Sequence, residues 1–320
     1  MDNDIRKEVM MKSKLISVLT PCYNEEGNVE GIYLRVKEIF KNLNYEYEHI
    51  FIDNSSRDNT VAQLKKLADL DKNLKIIVNV KNFGWIRSPF YGLLQARGDA
   101  VILIAADLED PPALITEFIK KWEDGCKIVL GVKTKSKESR FMYLVRSLYY
   151  KLYKSLSENE IVEHSSGFGL YDRRIIEIFR DLNEPYPYLK SIISEIGFEK
   201  CVVEYTREKR EKGISSSNFY RLYDAAISGI TSDSRVLIRI ATIFGFAASA
   251  VSLLIAFIYL LLKIILWERF QLGIASIAIG VFFFASVQLF FIGLIGEYVG
   301  AILTQVKKRP LVIEKERINF

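Results

Sequence analysis

The run Ala100-Val101-Ile102-Leu103-Ile104-Ala105-Ala106-Asp107-Leu108-Glu109-Asp110-Pro111-Pro112 begins as an uncharged apolar segment and ends in carboxylates and a proline pair. A short apolar run bounded by turn residues reads as a buried strand, here Ala100–Ala105. Proline is tolerated in the first turn of a helix, where its missing N–H has no intrahelical partner, so Ala113–Glu123 is expected to be the helix that follows. The alternation continues on both sides. Leu15–Thr20, His49–Asp53, Leu74–Asn79 and Lys127–Gly131 read as further strands, and Val29–Leu43, Thr60–Asp69 and Ser88–Ala96 as helices between them. Strand and helix in regular succession imply an α/β fold with a doubly wound, mostly parallel sheet. Ligands of such sheets sit beyond the carboxyl ends of the strands. Polar loop-forming clusters fall at those ends: Pro21-Cys22-Tyr23-Asn24-Glu25-Glu26, Asp53-Asn54-Ser55-Ser56, and the carboxylates after Ala106.

Half of the 320 residues are hydrophobic and mean hydropathy is +0.11, although 26% are charged, so the two kinds must be segregated. From Ile240 to Leu262 and again from Leu272 to Ile295 no charge occurs. Each run exceeds the roughly 20 residues needed to cross the hydrocarbon core, and the short connector Lys263–Gln271 makes them a hairpin. Arg235 and Arg239 precede the pair and Lys307, Lys308 and Arg309 follow it, which by the positive-inside rule places the large domain and the C-terminus in the cytoplasm. Phe219, Leu222, Tyr223, Ala226, Ile227 and Ile230 form one apolar stripe, fitting either an interfacial helix or one packed on the catalytic domain. The expected organisation is an N-terminal tail (1–14), a catalytic domain (15–212), an interface helix or linker (213–235), two spans (236–304) and a tail (305–320). A net charge of +5 is too mild and scattered for nucleic acid and suits an anionic membrane surface. Cys22, Cys126 and Cys201, odd in number and far apart, read as separate buried thiols. With His49 and His164 alone, multi-histidine metal sites are excluded, and the polar first residues make no cleaved signal peptide.

Asp107, with Glu109 and Asp110 on one tight turn, offers the hard oxygen ligands that suit Mg²⁺ or Mn²⁺ bridging a diphosphate, whose departure needs its charge neutralised. Helix N-capping by Asp107 and Asp110 is the alternative. In the loop after the first strand, Tyr23 could stack on a nucleobase and Glu25 hydrogen-bond to it, or the segment is a plain turn. Asp53 could accept from a base imide or ribose hydroxyl, or serve an Asx-turn. Neither a dinucleotide fingerprint nor a P-loop occurs.

The ordered motifs Pro21-x-Tyr23-Asn24-Glu25-Glu26, Asp53-Asn54-Ser55-Ser56-Arg57-Asp58 and Asp107-Leu108-Glu109-Asp110-Pro111-Pro112 resemble those of family 2 glycosyltransferases with the GT-A fold. The resemblance is nearest to the dolichol-phosphate-mannose-synthase-like branch, with its bacterial polyprenyl-phosphate glucosyltransferases bearing two C-terminal spans. Asn82-Phe83-Gly84, Gly98-Asp99 and Lys308-Arg309-Pro310-Leu311 match too. The resemblance implies inverting transfer of a hexose, glucose above others, from a UDP-sugar to a polyprenyl phosphate. Pro21, Tyr23, Glu25, Asp53 and Asn82 would bind the donor, and Asp107 and Glu109 the metal. Arg207, Arg210 and Ser215 would belong to a loop closing over the phosphates. Homo-oligomers are expected, with Gly280, Gly293, Gly296 and Gly300 allowing close helix packing.

Three departures stand out: Ala105 where the metal motif often begins with an acid, Gly167 where relatives often carry a carboxylate, and Ser216 where a lysine is frequent. A sugar hydroxyl acceptor needs a general base. A phosphate monoester is already anionic near neutral pH and needs cations to position it instead. Arg140 and Arg146, on the basic aromatic stretch Arg140–Lys154, are candidates for that role, or they belong to a solvated helix face. Asp172 and Glu195 are weaker candidate carboxylates. A processive synthase is disfavoured by the missing Q-x-x-R-W element, while a non-catalytic nucleotide-sugar-binding protein of the same fold is the second reading.

Overall fold

A computed structural model describes residues 14–135, 162, 165–206, scattered positions between 243 and 265, 274–307 and 309–320. The strands are β1 (Leu15–Cys22), β2 (Glu46–Asp53), β3 (Leu74–Asn79), β4 (Ala100–Leu103), β5 (Ile128–Lys135), β6 (Ser165–Asp172), β7 (Lys200–Thr206) and β8 (Glu314–Ile318). The helices are α1 (Val29–Lys41), α2 (Thr60–Leu70), α3 (Gly84–Gln95), α4 (Leu114–Glu123), α5 (Arg173–Leu182), α6 (Leu189–Glu195) and α7 (Ile274–Val306). All eight strands form one sheet in the order β7-β5-β6-β4-β1-β2-β3-β8. β1 pairs in parallel with β2 and β4, β2 with β3, and β5 with β7, while β6 and β8 run antiparallel to their neighbours.

Strand side chains alternate between two apolar layers, as the pleat requires. Ile16, Val18, Phe51, Ile76 and Ile102 join Val36 of α1, Leu64 of α2 and Phe118 of α4 on one face. Leu19, Ile50, Ile52, Ile77 and Val101 join Phe90 of α3, Phe179 of α5 and Ile192 of α6 on the other. Helices thus cover both faces, and every expected strand and helix of the first half is present. The sheet is mostly parallel, as the alternation of strands and helices implied.

Four expectations change. α3 begins at Gly84, one turn before the expected Ser88, although Pro89 lies inside it. Its first turn is held from outside, by Phe83 N–H donating to Asn54 Oδ1 (2.9 Å) and Asn54 Nδ2 donating to the Gly84 carbonyl (3.1 Å). The segment taken as a tail from 305 is not one throughout, because β8 adds to the sheet along β3. Cys126 and Cys201, expected as separate thiols, are joined in a disulfide with Cα atoms 6.2 Å apart. Parallel pairing of β5 with β7, which sets Cys201 beside Val129, brings them together, and no sequence spacing reveals that. Cys22 alone stays free and buried. Finally, α7 runs for 33 residues and contains one charged residue, Glu297. Among the described residues no helix is long and apolar enough to cross a membrane, and the first expected span lies largely outside them. The structure therefore does not establish the expected hairpin.

Candidate active site

The carboxyl ends of β1 and β4 and the loops after β2 and β3 surround a cleft of ≈ 670 Å³. Pro21, Tyr23, Glu25, Asn82 and Asp107 line it together, so five of the residues singled out in sequence converge from three different loops. The chain enters the Asp107 loop through a strained turn, since Leu108 has φ +58 and its side chain is buried. Such a conformation persists only when its surroundings fix it. Asp110 supplies the fixing. The Tyr205 hydroxyl of β7 donates to its Oδ1, and Lys133 Nζ of β5 lies 3.5 Å from the same oxygen. Burial raises the Asp110 pKa while Lys133 and Tyr205 pull it back. Asp110 is thus tied to two strands rather than capping α4, whose N-cap is Ala113 with no side-chain bond. Asp107 accepts from the Glu109 N–H (3.3 Å) and is half-buried in the cleft wall.

The loops after β1 and β2 brace each other. Asn24 N–H donates to Ser56 Oγ (2.8 Å), Arg57 N–H to Asn24 Oδ1 (2.8 Å), and Glu25 N–H to Thr60 Oγ1 (2.9 Å). Asp53 sits beneath this seam, fully buried, accepting from the Ser56 N–H (2.9 Å) and hydroxyl. It does not line the cleft; it holds the loop as an Asx-turn, and burial raises its pKa against those hydrogen bonds. Asn54 was missed in sequence. It lines the cleft and joins Asn82 Oδ1 (3.0 Å) to Asn79 Nδ2 (3.2 Å), fixing the loop after β3. The only sequence signal was its place in the Asp53 cluster.

Among the described residues no group of three metal-ligating side chains occurs, and Glu109 does not line the cleft. One cleft carboxylate, Asp107, still fits a hard divalent ion, because Mg²⁺ is commonly held by one or two carboxylates plus substrate phosphates. Gly167 lines the same cleft with φ +88, and a Cβ there would meet Leu189 at 3.2 Å. The carboxylate frequent at this position is therefore replaced by a glycine conformation with a leucine packed against it. Asp172 is a structural acid, capping α5 through the Arg174 N–H (3.0 Å) and accepting from Trp122 Nε1 (2.7 Å) and Lys127 (3.0 Å). Those bonds hold its pKa low despite burial. Glu195 does not line the cleft either. Arg140, Arg146, Arg207, Arg210 and Ser215 lie outside the described residues.

Residues 17–179 match the family model described as Glycosyl transferase family 2. The chain belongs to that family. This family 2 glycosyltransferase is 32% identical to the uncharacterized glycosyltransferase YkcC of Bacillus subtilis (strain 168), over 93% of this chain and 92% of the relative. It is 34% identical to the bactoprenol glucosyl transferase of Shigella phage SfII, over 94% and 97% of the two chains. Among solved structures, glucosyl-3-phosphoglycerate synthase from Mycobacterium tuberculosis, with Mn²⁺, UDP and phosphoglyceric acid, matches at TM-score 0.48 and 18% identity, over 70% of this chain and 78% of that one. The protein is an enzyme, a glycosyltransferase, and the reading as a non-catalytic binding protein is set aside.

Proposed function

We propose that this glycosyltransferase moves a hexose, glucose in the first instance, from a UDP-sugar to a polyprenyl phosphate at the cytoplasmic face of a membrane. The observation that carries the reading is the convergence of Asp107 with Pro21, Tyr23, Glu25 and Asn82 in one cleft at the carboxyl edge of the sheet. Tyr23 and Glu25 are assigned to the nucleoside and Asn82 to the donor phosphates. Asp107, with the diphosphate itself, is assigned a Mg²⁺ or Mn²⁺ ion, which when bound would neutralise the leaving diphosphate; Glu109, which does not line the cleft, is left out of that assignment. Among the described residues no histidine lines the cleft, and a phosphate acceptor calls for none. Arg140, Arg146 and Arg210 are assigned to positioning phosphates, and Arg207 and Ser215 to donor contacts. The name of the phage relative supports the lipid acceptor.

Chain direction supports the membrane part. β7 runs parallel to β5, and β5 and β4 both run against β6, so β7 points the same way as β1. Its end, Thr206, therefore lies at the carboxyl edge; β8, antiparallel to β3, begins at that edge too. The intervening segment, which includes α7 and both apolar runs, leaves and rejoins the domain on the side where the cleft opens. Two spans and a homo-oligomer formed through them complete the proposal.

Purified full-length protein with Mg²⁺ or Mn²⁺, a set of UDP- and GDP-sugars and a short polyprenyl phosphate provides the test. Sugar should appear in the lipid fraction, and Asp107→Asn should lower kcat by about a hundredfold or more. Undiminished turnover by that variant would remove the metal assignment.

A further inference from the structure

One wall of the same cleft is aromatic and carries none of the residues assigned above to the donor. Trp85, on the first turn of α3, is 52% exposed, and Tyr188, immediately before α6, meets it edge-on with ring centroids 6.2 Å apart and planes at 88°. Both line the cleft, with Leu189 and Lys190 beside them. A large, half-exposed aromatic on a soluble surface gives up hydrophobic stabilisation unless something apolar covers it. Lys190 is the one cation among the described residues that line the cleft, where the acidic side chains Glu25, Asp107 and Asp110 also face. The wall has a definite position. Arg87, two residues along α3 from Trp85, donates to the Pro310 carbonyl, just after the chain leaves α7. That hydrogen bond and the Trp85–Tyr188 contact bring the residue before α6, the start of α3 and the re-entry point of the chain to one place.

We propose that this wall is the acceptor subsite: Lys190 holds the phosphate of the prenyl phosphate, and the Trp85–Tyr188 pair with Leu189 receives its first isoprene units. The inference rests on the lipid-acceptor reading above. It commits to an isoprenoid chain because the aromatic wall continues into the cleft that holds Asp107 and Lys190 at one end and, through Arg87 and Pro310, adjoins the chain leaving α7 at the other. A nucleotide sugar, polar along its whole length, gains little from such a surface.

The head and tail of the ligand can be separated by experiment. Full-length wild type, Trp85→Ala, Trp85→Phe, Lys190→Gln and Lys190→Arg are assayed with farnesyl phosphate and with methyl phosphate, measuring KM for acceptor and donor. Trp85→Ala should raise KM for farnesyl phosphate about tenfold and leave methyl phosphate and donor unchanged, with Trp85→Phe restoring most of the loss. Lys190→Gln should raise KM for both phosphates by about tenfold or more, and Lys190→Arg should recover part of it. A raised donor KM with unchanged acceptor KM in either alanine or glutamine variant would reassign the wall to the sugar, and no change in either would abolish the subsite. Should wild type glycosylate no prenyl phosphate at all while consuming a UDP-sugar with another acceptor, the lipid reading fails first and this inference with it.

Discussion

His49 shows how one residue's environment sets a measurable pH dependence. It is buried in β2, its Nε2 2.9 Å from Thr20 Oγ1 and its Nδ1 without a hydrogen-bond partner among the described residues. Burial lowers its pKa from 6.5 to about 3, the imidazole being unable to carry charge there. Between those values the unfolded chain binds a proton that the folded chain does not, so stability falls as pH drops below about 6.5 and continues to fall toward 3. At pH 5 the loss from this group is roughly 2 kcal/mol. His49→Gln should flatten the decline of Tm between pH 7 and pH 5 relative to wild type; equal slopes would show that the histidine is not buried neutral. Tyr205 acts on the site through Asp110. Tyr205→Phe removes the hydroxyl donated to a buried carboxylate and should cost about 1–3 kcal/mol. It should also lower kcat, since the loop it anchors carries Asp107. Unchanged melting and turnover would leave that loop held by Lys133 alone.

At the level of elements, β8 is the least expected part of the sheet and the easiest to remove. Its five residues, Glu314-Lys315-Glu316-Arg317-Ile318, are almost all charged, which is how natural proteins blunt an edge strand, and which erases the apolar signal by which a strand is recognised. Its pairing is instead secured by side chains that reach elsewhere. Tyr91 donates to Glu314 (2.8 Å), Lys65 pairs with Glu316 (2.6 Å), and Asn319 Nδ2 donates to the carbonyls of Ala68 (2.8 Å) and Leu74 (2.9 Å). Deleting residues 311–320 would bare the β3 edge and its Ile76-Ile77-Val78 core; Tm should fall by on the order of 10 °C, and a melting curve that does not move would contradict the strand's structural role. β6 was hidden for a different reason. Gly167 and Gly169 weaken its strand signal, yet a Cβ on Gly169 would overlap the Val129 carbonyl oxygen of β5, so the glycine is what lets the two strands approach. The first four strands and helices were legible because each carries an apolar face at the right period. The cleft was legible as far as loops at strand ends could show it. Trp85, Tyr188 and Lys190 were not, because nothing in sequence places residues a hundred positions apart on one wall.

For the whole molecule, the two places where the catalytic domain meets the rest of the chain sit at opposite margins of one sheet, β7 at one and β8 at the other, both at its carboxyl edge. A polypeptide that departs from a folded domain and returns to that domain crosses any intervening bilayer an even number of times. The ~100 residues in between contain two uncharged runs, each longer than the roughly 20 residues a crossing needs. The two crossings proposed above are compatible with both the return of the chain and the number of apolar runs, and they would set the cleft, which opens at the same edge, toward the bilayer. Cysteine labelling can check this directly. A cysteine in the connector, at Gln271, should react with a membrane-impermeant maleimide on intact cells, whereas one at Lys315 in β8 should react only after permeabilisation. Labelling of both from the same side would mean that the apolar runs lie on the membrane without crossing it, and the domain would then have no fixed sidedness for its acceptor.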